Sequence, residues 1–77
     1  MEVVQASALF QLLAAQHPGV EVWPDAGADG GGWAYFWVVS RPGDGSARNL
    51  AYVRAGGGRL QRRGYDAAGD DEWLPAE

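Results

Sequence analysis

The chain has 77 residues, no cysteine, a single histidine and a formal net charge of −4. A chain of this length buries only ~60% of its unfolded surface, so it makes one small domain with a thin core. With no cysteine, no lysine and His17 alone, disulfide staples, thiol nucleophiles, zinc fingers and Schiff-base lysines are excluded.

Residues 3–16 predict a helix. Alanine, leucine and glutamine dominate this stretch. Ala6, Leu9, Phe10, Leu13 and His17 fall on one face at helical spacing. Pro18 biases His17 away from helix and ends the element. Residues 20–23 read as a short strand stopped by Pro24, and the glycine-rich run that follows is a loop. Residues 33–40 give the strongest strand. Trp33, Tyr35, Trp37 and Val39 share one face and Ala34, Phe36 and Val38 the other, so the strand is interior. Arg41 to Ser46 is turn chemistry. Residues 47–55 form the next strand, Gly56 to Gly58 a turn, and residues 59–65 an arginine-rich strand near an edge. Residues 66–77 read as an acidic tail, with Trp73 and Leu74 as a late apolar anchor.

The order helix-strand-strand-strand-strand predicts a single α+β domain. Its N-terminal helix packs on a small antiparallel sheet of three to four strands. Ala34, Phe36 and Val38 fit beneath a helix more easily than Trp33, Tyr35 and Trp37, which are left on the open face.

Charge is distributed unevenly. Residues 1–40 carry −4, residues 41–63 carry +5 and residues 64–77 carry −5. The acidic flanks suit folding back against the arginine-rich strands, and the basic middle suits an anionic partner. Glu2 stands where a signal peptide would be basic, and no apolar run approaches the ~20 residues that span a bilayer. The sequence therefore reads as soluble and cytoplasmic, with no membrane partner.

No catalytic residue, cofactor or metal site is expected. His17 is isolated beside a proline, and Ser7, Ser40 and Ser46 lack the glycine context of a nucleophile elbow. Asp25 to Gly30 has the outline of a calcium loop, but Gly27 replaces an oxygen ligand and Phe36 stands where the bidentate glutamate belongs. Asp70, Asp71 and Glu72 read as a solvated acidic turn. The triple glycines at 30–32 and 56–58 lead into strands, not into the helix start a phosphate cradle needs.

What remains is binding. The primary expectation is a non-enzymatic, small acidic protein-binding module that contacts a partner through Trp33, Tyr35, Trp37, Tyr52, Asp25, Asp29, Asp70, Asp71 and Glu72. By composition it falls among phage or mobile-element inhibitors, anti-CRISPR-like or similar, that occlude a site on another protein. No family-specific motif supports that placement. Homodimerisation through the aromatic face would supply core that a short chain lacks. The alternative is a single-stranded nucleic-acid binder using the same rings with Arg48, Arg54, Arg59, Arg62 and Arg63. The net negative charge argues against it. A phage structural or assembly protein is a further alternative.

Overall fold

The computed structural model describes residues 2–76. Two short helices, α1 (Glu2–Gln5) and α2 (Ala8–Gln16), stand where one was expected. Ser7 makes the break. Its backbone is extended (φ −72°, ψ 153°), and its hydroxyl accepts from the Phe10 N–H at 3.1 Å. The same hydroxyl donates to the Val4 carbonyl at 2.6 Å. Serine side chains compete with helical backbone bonding in this way, and are favoured at helix starts for that reason. The break lets Val4 enter the core at 1% exposure while α2 presents Leu9, Phe10 and Leu13 to it. Ala6 of the expected stripe sits in the link and is exposed.

Five strands follow: β1 (Val20–Pro24), β2 (Ala34–Ser40), β3 (Arg48–Gly56), β4 (Arg59–Tyr65) and β5 (Asp71–Pro75). Their spatial order is their chain order, and every neighbouring pair is antiparallel. A single 3-10 turn (Ala26–Ala28) lies between β1 and β2. Gly57 and Gly58 take left-handed φ angles of 57° and 76° and close the β3–β4 hairpin in two residues.

The sheet has five strands, not three to four, because residues 66–76 are not a tail. The Asp66 carboxylate accepts from the backbone N–H groups of Ala68 at 2.9 Å and Asp70 at 3.0 Å. Gly69 takes a φ of 84°. This turn sends the chain back as β5 along β4, from Tyr65↔Asp71 to Gln61↔Pro75. β5 is therefore the edge and β4, expected near the edge, is interior. Glu77 of the expected tail lies outside the described residues.

The helices cover one sheet face. Val4, Val22, Phe36, Val38, Val53, Leu60 and Ala76 form the buried cluster, with Leu9, Phe10 and Leu13 packed on it. Phe36 and Val38 belong to this cluster and Ala34 packs against it, on the side that the sequence assigns to the helix.

Two irregularities shape the sheet. Pairing of β2 with β3 steps from Val38↔Ala51 to Val39↔Asn49, so Leu50 is an extra residue with no opposite number. Pairing of β3 with β4 runs only from Gly56↔Arg59 to Val53↔Arg62.

Candidate functional site

The strand alternation that buries Phe36, Val38 and Val53 sends their neighbours to the other face. Trp23 and Trp37 are opposite each other in register, as are Trp37 and Tyr52, and Tyr35 and Arg54. Trp73 of β5 is opposite Arg63 of β4. Trp33, just before β2, continues the same parity.

These rings touch. Trp37 and Tyr52 have centroids 4.3 Å apart, Tyr35 and Tyr52 stack at 5.9 Å, and Trp73 lies 6.0 Å from Tyr52. Trp73 is also 5.8 Å from Tyr35. The strands bearing this last pair are separated by two others, ~14 Å across a flat sheet at the usual strand spacing. The sheet is therefore curled toward this face, and the two rings lean inward over β3 and β4.

Arginines cap the rings. The Arg54 guanidinium lies 4.1 Å from the centroid of Trp33 and 4.3 Å from that of Trp73. Its Nε donates to Gln61 Oε1 at 2.8 Å, which fixes its plane. Arg63 lies over Tyr52 at 4.9 Å and 4.0 Å from the Asp71 carboxylate. Arg41 lies over Trp23 at 5.8 Å, and the indole N–H of Trp23 donates to Glu21 at 2.9 Å. Gly56 is required here. A Cβ at that position would run into the carbonyl of Gly32 and press on the Trp33 ring.

Tyr52 is the centre of the cluster. Its hydroxyl donates to Asp25 at 2.8 Å. Burial, and then the neighbouring Asp25 carboxylate, push its pKa up from 10.0 to about 12. Trp33, Tyr35, Trp37, Tyr52, Arg54 and Trp73 are all half-buried, while Trp23 remains 39% exposed.

The structure brings Trp33, Tyr35, Trp37 and Tyr52 together. Asp25 joins them through Tyr52, and Asp29 accepts the Tyr35 backbone N–H at 3.2 Å. Asp71 joins through Arg63, whereas Asp70 lies in the turn and Glu72 alternates away opposite Gly64. The five arginines of the nucleic-acid expectation do not form one stripe. Arg54 and Arg63 cap rings, and Arg59 shares their strand face near the hairpin. Arg62 is opposite Val53 and Leu74 on the other face, and Arg48 is opposite Ser40 at the far end of β3. Trp73 and Gln61 are members that sequence reasoning missed. The signal for Trp73 was the alternation Asp71-Glu72-Trp73-Leu74 behind a turn-forming Asp66 and Gly69.

Among the described residues, no three or more His, Asp or Glu side chains gather as a metal site. Among the same residues, no helix is long and apolar enough to cross a membrane. Comparison with protein-family models, with curated proteins and with solved structures finds no match. The site has to be read from its own chemistry.

Proposed function

We propose that this is a non-enzymatic protein-binding module and that the ring-bearing sheet face is its docking surface. One observation carries the reading. The helices pack on one face of the sheet, while the other holds Trp23, Trp33, Tyr35, Trp37, Tyr52 and Trp73 interleaved with arginine and, among the described residues, flanked only by the short 3-10 turn between β1 and β2. Tryptophan, tyrosine and arginine are the residues enriched where binding energy concentrates. The partner presents an apolar centre with a basic rim. Arg41, Arg54 and Arg63 already lie over rings of this face, and Arg41 and Arg63 also pair with Glu21 and Asp71, which leaves Asp25 and Asp29 as carboxylates beside the face with no ion pair among the described residues. In this reading the module acts by occluding a site on that protein.

Nucleic acid fits the geometry less well. Base stacking needs bare ring faces, and phosphates need free cations. Here Arg54 occupies a face of both Trp33 and Trp73, and the chain carries −4 overall.

The test places a photo-crosslinking side chain at Tyr65 on the ring side, 71% exposed, or at Leu12 on the helix side, 55% exposed. In a lysate of the native host, adducts are expected at position 65, and they should vanish on adding Trp37→Ala to a chain that remains folded by circular dichroism. Adducts at position 12 instead, or adducts indifferent to Trp37→Ala, overturn the reading. Saturable quenching of tryptophan fluorescence by single-stranded DNA that fades with salt would transfer the face to nucleic acid.

A further inference from the structure

The sheet is not one continuous ladder. Beyond Val53↔Arg62 the strands part. β3 keeps its pairing to β2 as far as Arg48↔Ser40, and β4 keeps its pairing to β5 as far as Tyr65↔Asp71. A regular hairpin would have continued, with Tyr52, Ala51 and Leu50 opposite Arg63, Gly64 and Tyr65. The bulge at Leu50 lies in this stretch, and bulges bend the strand that carries them. β3 thus follows β2 while β4 follows β5, and a wedge opens inside the sheet. On the ring side it is a cleft of about 200 Å³ lined by Trp37, Asn49, Leu50, Tyr52, Arg63 and Tyr65.

We propose that this wedge binds an extended, basic peptide segment, which adds as a strand to the free edge of β3 and seats one large apolar side chain in the cleft. The inference rests on the reading of the protein as a binding module, and it specifies the part of the partner that the module grips.

Three observations converge. A strand edge without a neighbour is a template for another chain, whose main-chain hydrogen bonds supply affinity while pockets for alternate side chains supply selectivity. Among the described residues no strand pairs with the β4-side edge of β3 from Arg48 to Tyr52, so this edge is such a template, and the cleft beside it is such a pocket. Charge then sets the sign of the ligand. The positive charge within the cleft is already engaged, because Arg63 lies over the Tyr52 ring and beside Asp71. The wide end of the wedge opens toward the Asp66–Asp70 turn and Asp71, next to Tyr65 in chain and in register. An extended chain leaving the wedge there passes the turn that carries Asp66 and Asp70, neither of them ion-paired among the described residues, which suits lysine or arginine flanking the apolar residue.

The probe is acetyl-Lys-Val-Leu-Val-Lys amide, paired with a twin whose backbone nitrogens are methylated. The twin keeps every side chain but cannot donate to β3. Both are titrated into the full chain and followed residue by residue through its amide NMR signals. With the first peptide, shifts and slowed hydrogen exchange are expected at Asn49, Leu50, Ala51, Gly64 and Tyr65. The twin should bind at least about tenfold more weakly, as expected when backbone bonds carry the affinity. Tyr65→Ala, a change at an exposed position, should weaken the first peptide without lowering stability. Equal binding of the two peptides, or shifts confined to Trp23 and Trp33, would remove strand addition and leave the docking face standing. No shift at millimolar peptide would also remove strand addition, and the docking face then stands or falls on the crosslinks from position 65.

Discussion

The two faces of the sheet solve the same problem with different materials. On the helix side the layer is aliphatic and thin, with Val22, Phe36, Val38, Val53 and Leu60 at 8% exposure or less beneath α1 and α2. On the other side Tyr35, Trp37, Tyr52 and Trp73 pack against each other, Trp23 and Trp33 flank them under arginines, and neither α1 nor α2 lies over them. Guanidinium groups do the covering. Arginine is weakly hydrated and planar, so it can lie on an indole while its edge stays wet. A short chain thereby holds large rings in place without a second helical layer. What it gains is a surface already ordered before a partner arrives, which lowers the entropy lost on binding.

The comparison is tested hardest by truncating one side chain on each face of β2. Phe36→Ala should cost about 3–5 kcal/mol, the range for a large core ring. Domains this small have little more than that in total, so the variant should be mostly unfolded in a urea or thermal titration. Trp37→Ala, one residue further on the opposite face, removes a ring that is already half in water. It should cost clearly less and leave a folded chain. Equal losses would mean that the ring side is a second core and not a docking surface.

Next in size is Arg54→Ala. The guanidinium meets two rings and Gln61, and a cation over one ring is worth about 0.5–2 kcal/mol according to how far it is desolvated. A loss of about 1–2 kcal/mol is expected in urea, with a changed near-ultraviolet dichroism as Trp33 and Trp73 lose their spacer. Arg54→Lys should recover only part of it, because an ammonium cannot stack as a plane. A neutral Arg54→Ala would show that the rings hold one another and that the arginine is ornament.

How much of this could be read from the chain differs by region for physical reasons. The split of β2 into Ala34-Phe36-Val38 against Trp33-Tyr35-Trp37 was legible because strand alternation is a local property. So was the hairpin at Gly57-Gly58. The break at Ser7 was not legible, because a stretch rich in helix formers masks a single capping hydroxyl. The strand at 71–75 was missed because its acidic charge reads as a solvated tail, while the turn at Asp66 and Gly69 that makes it a strand is only a few residues long. The pairing of Arg54 with Trp33 and Trp73 was beyond local reading. It depends on the lateral order of the strands and on the curl that brings β5 toward β2. The wedge beyond Val53↔Arg62 likewise follows from register, which no single segment determines.

The helix side has one polar fixture comparable to the arginines. Ser7 is 7% exposed, and its hydroxyl serves Phe10 and Val4 at once. Ser7→Ala should cost about 1 kcal/mol, the usual value of a helix cap. Hydrogen exchange should rise at Phe10 and the first turn of α2, and the ring side should not respond. A response at Trp37 or Tyr52 would mean that the two faces are coupled through the sheet.

The smallest effect at neutral pH, and the most selective, belongs to Tyr52. Its phenol is neutral in the fold, and burial together with the Asp25 carboxylate raises its pKa from 10.0 to about 12. A raised folded-state value means that the contribution to stability is complete below pH 10 and is lost as pH climbs from about 10 through about 12. Urea titrations across that window should show the wild type losing stability, and Tyr52→Phe should lose that part of the dependence. Below pH 10 the variant should differ only by the bond to Asp25. The difference in tyrosinate absorbance between the two proteins isolates the phenol directly. If it ionises near 10, Tyr52 is neither screened from water by Trp37, Trp73 and Arg63 nor held by Asp25. The ring side would then be a loose set of exposed aromatics, and the contrast between the two faces would lose the ordered cluster on which it rests.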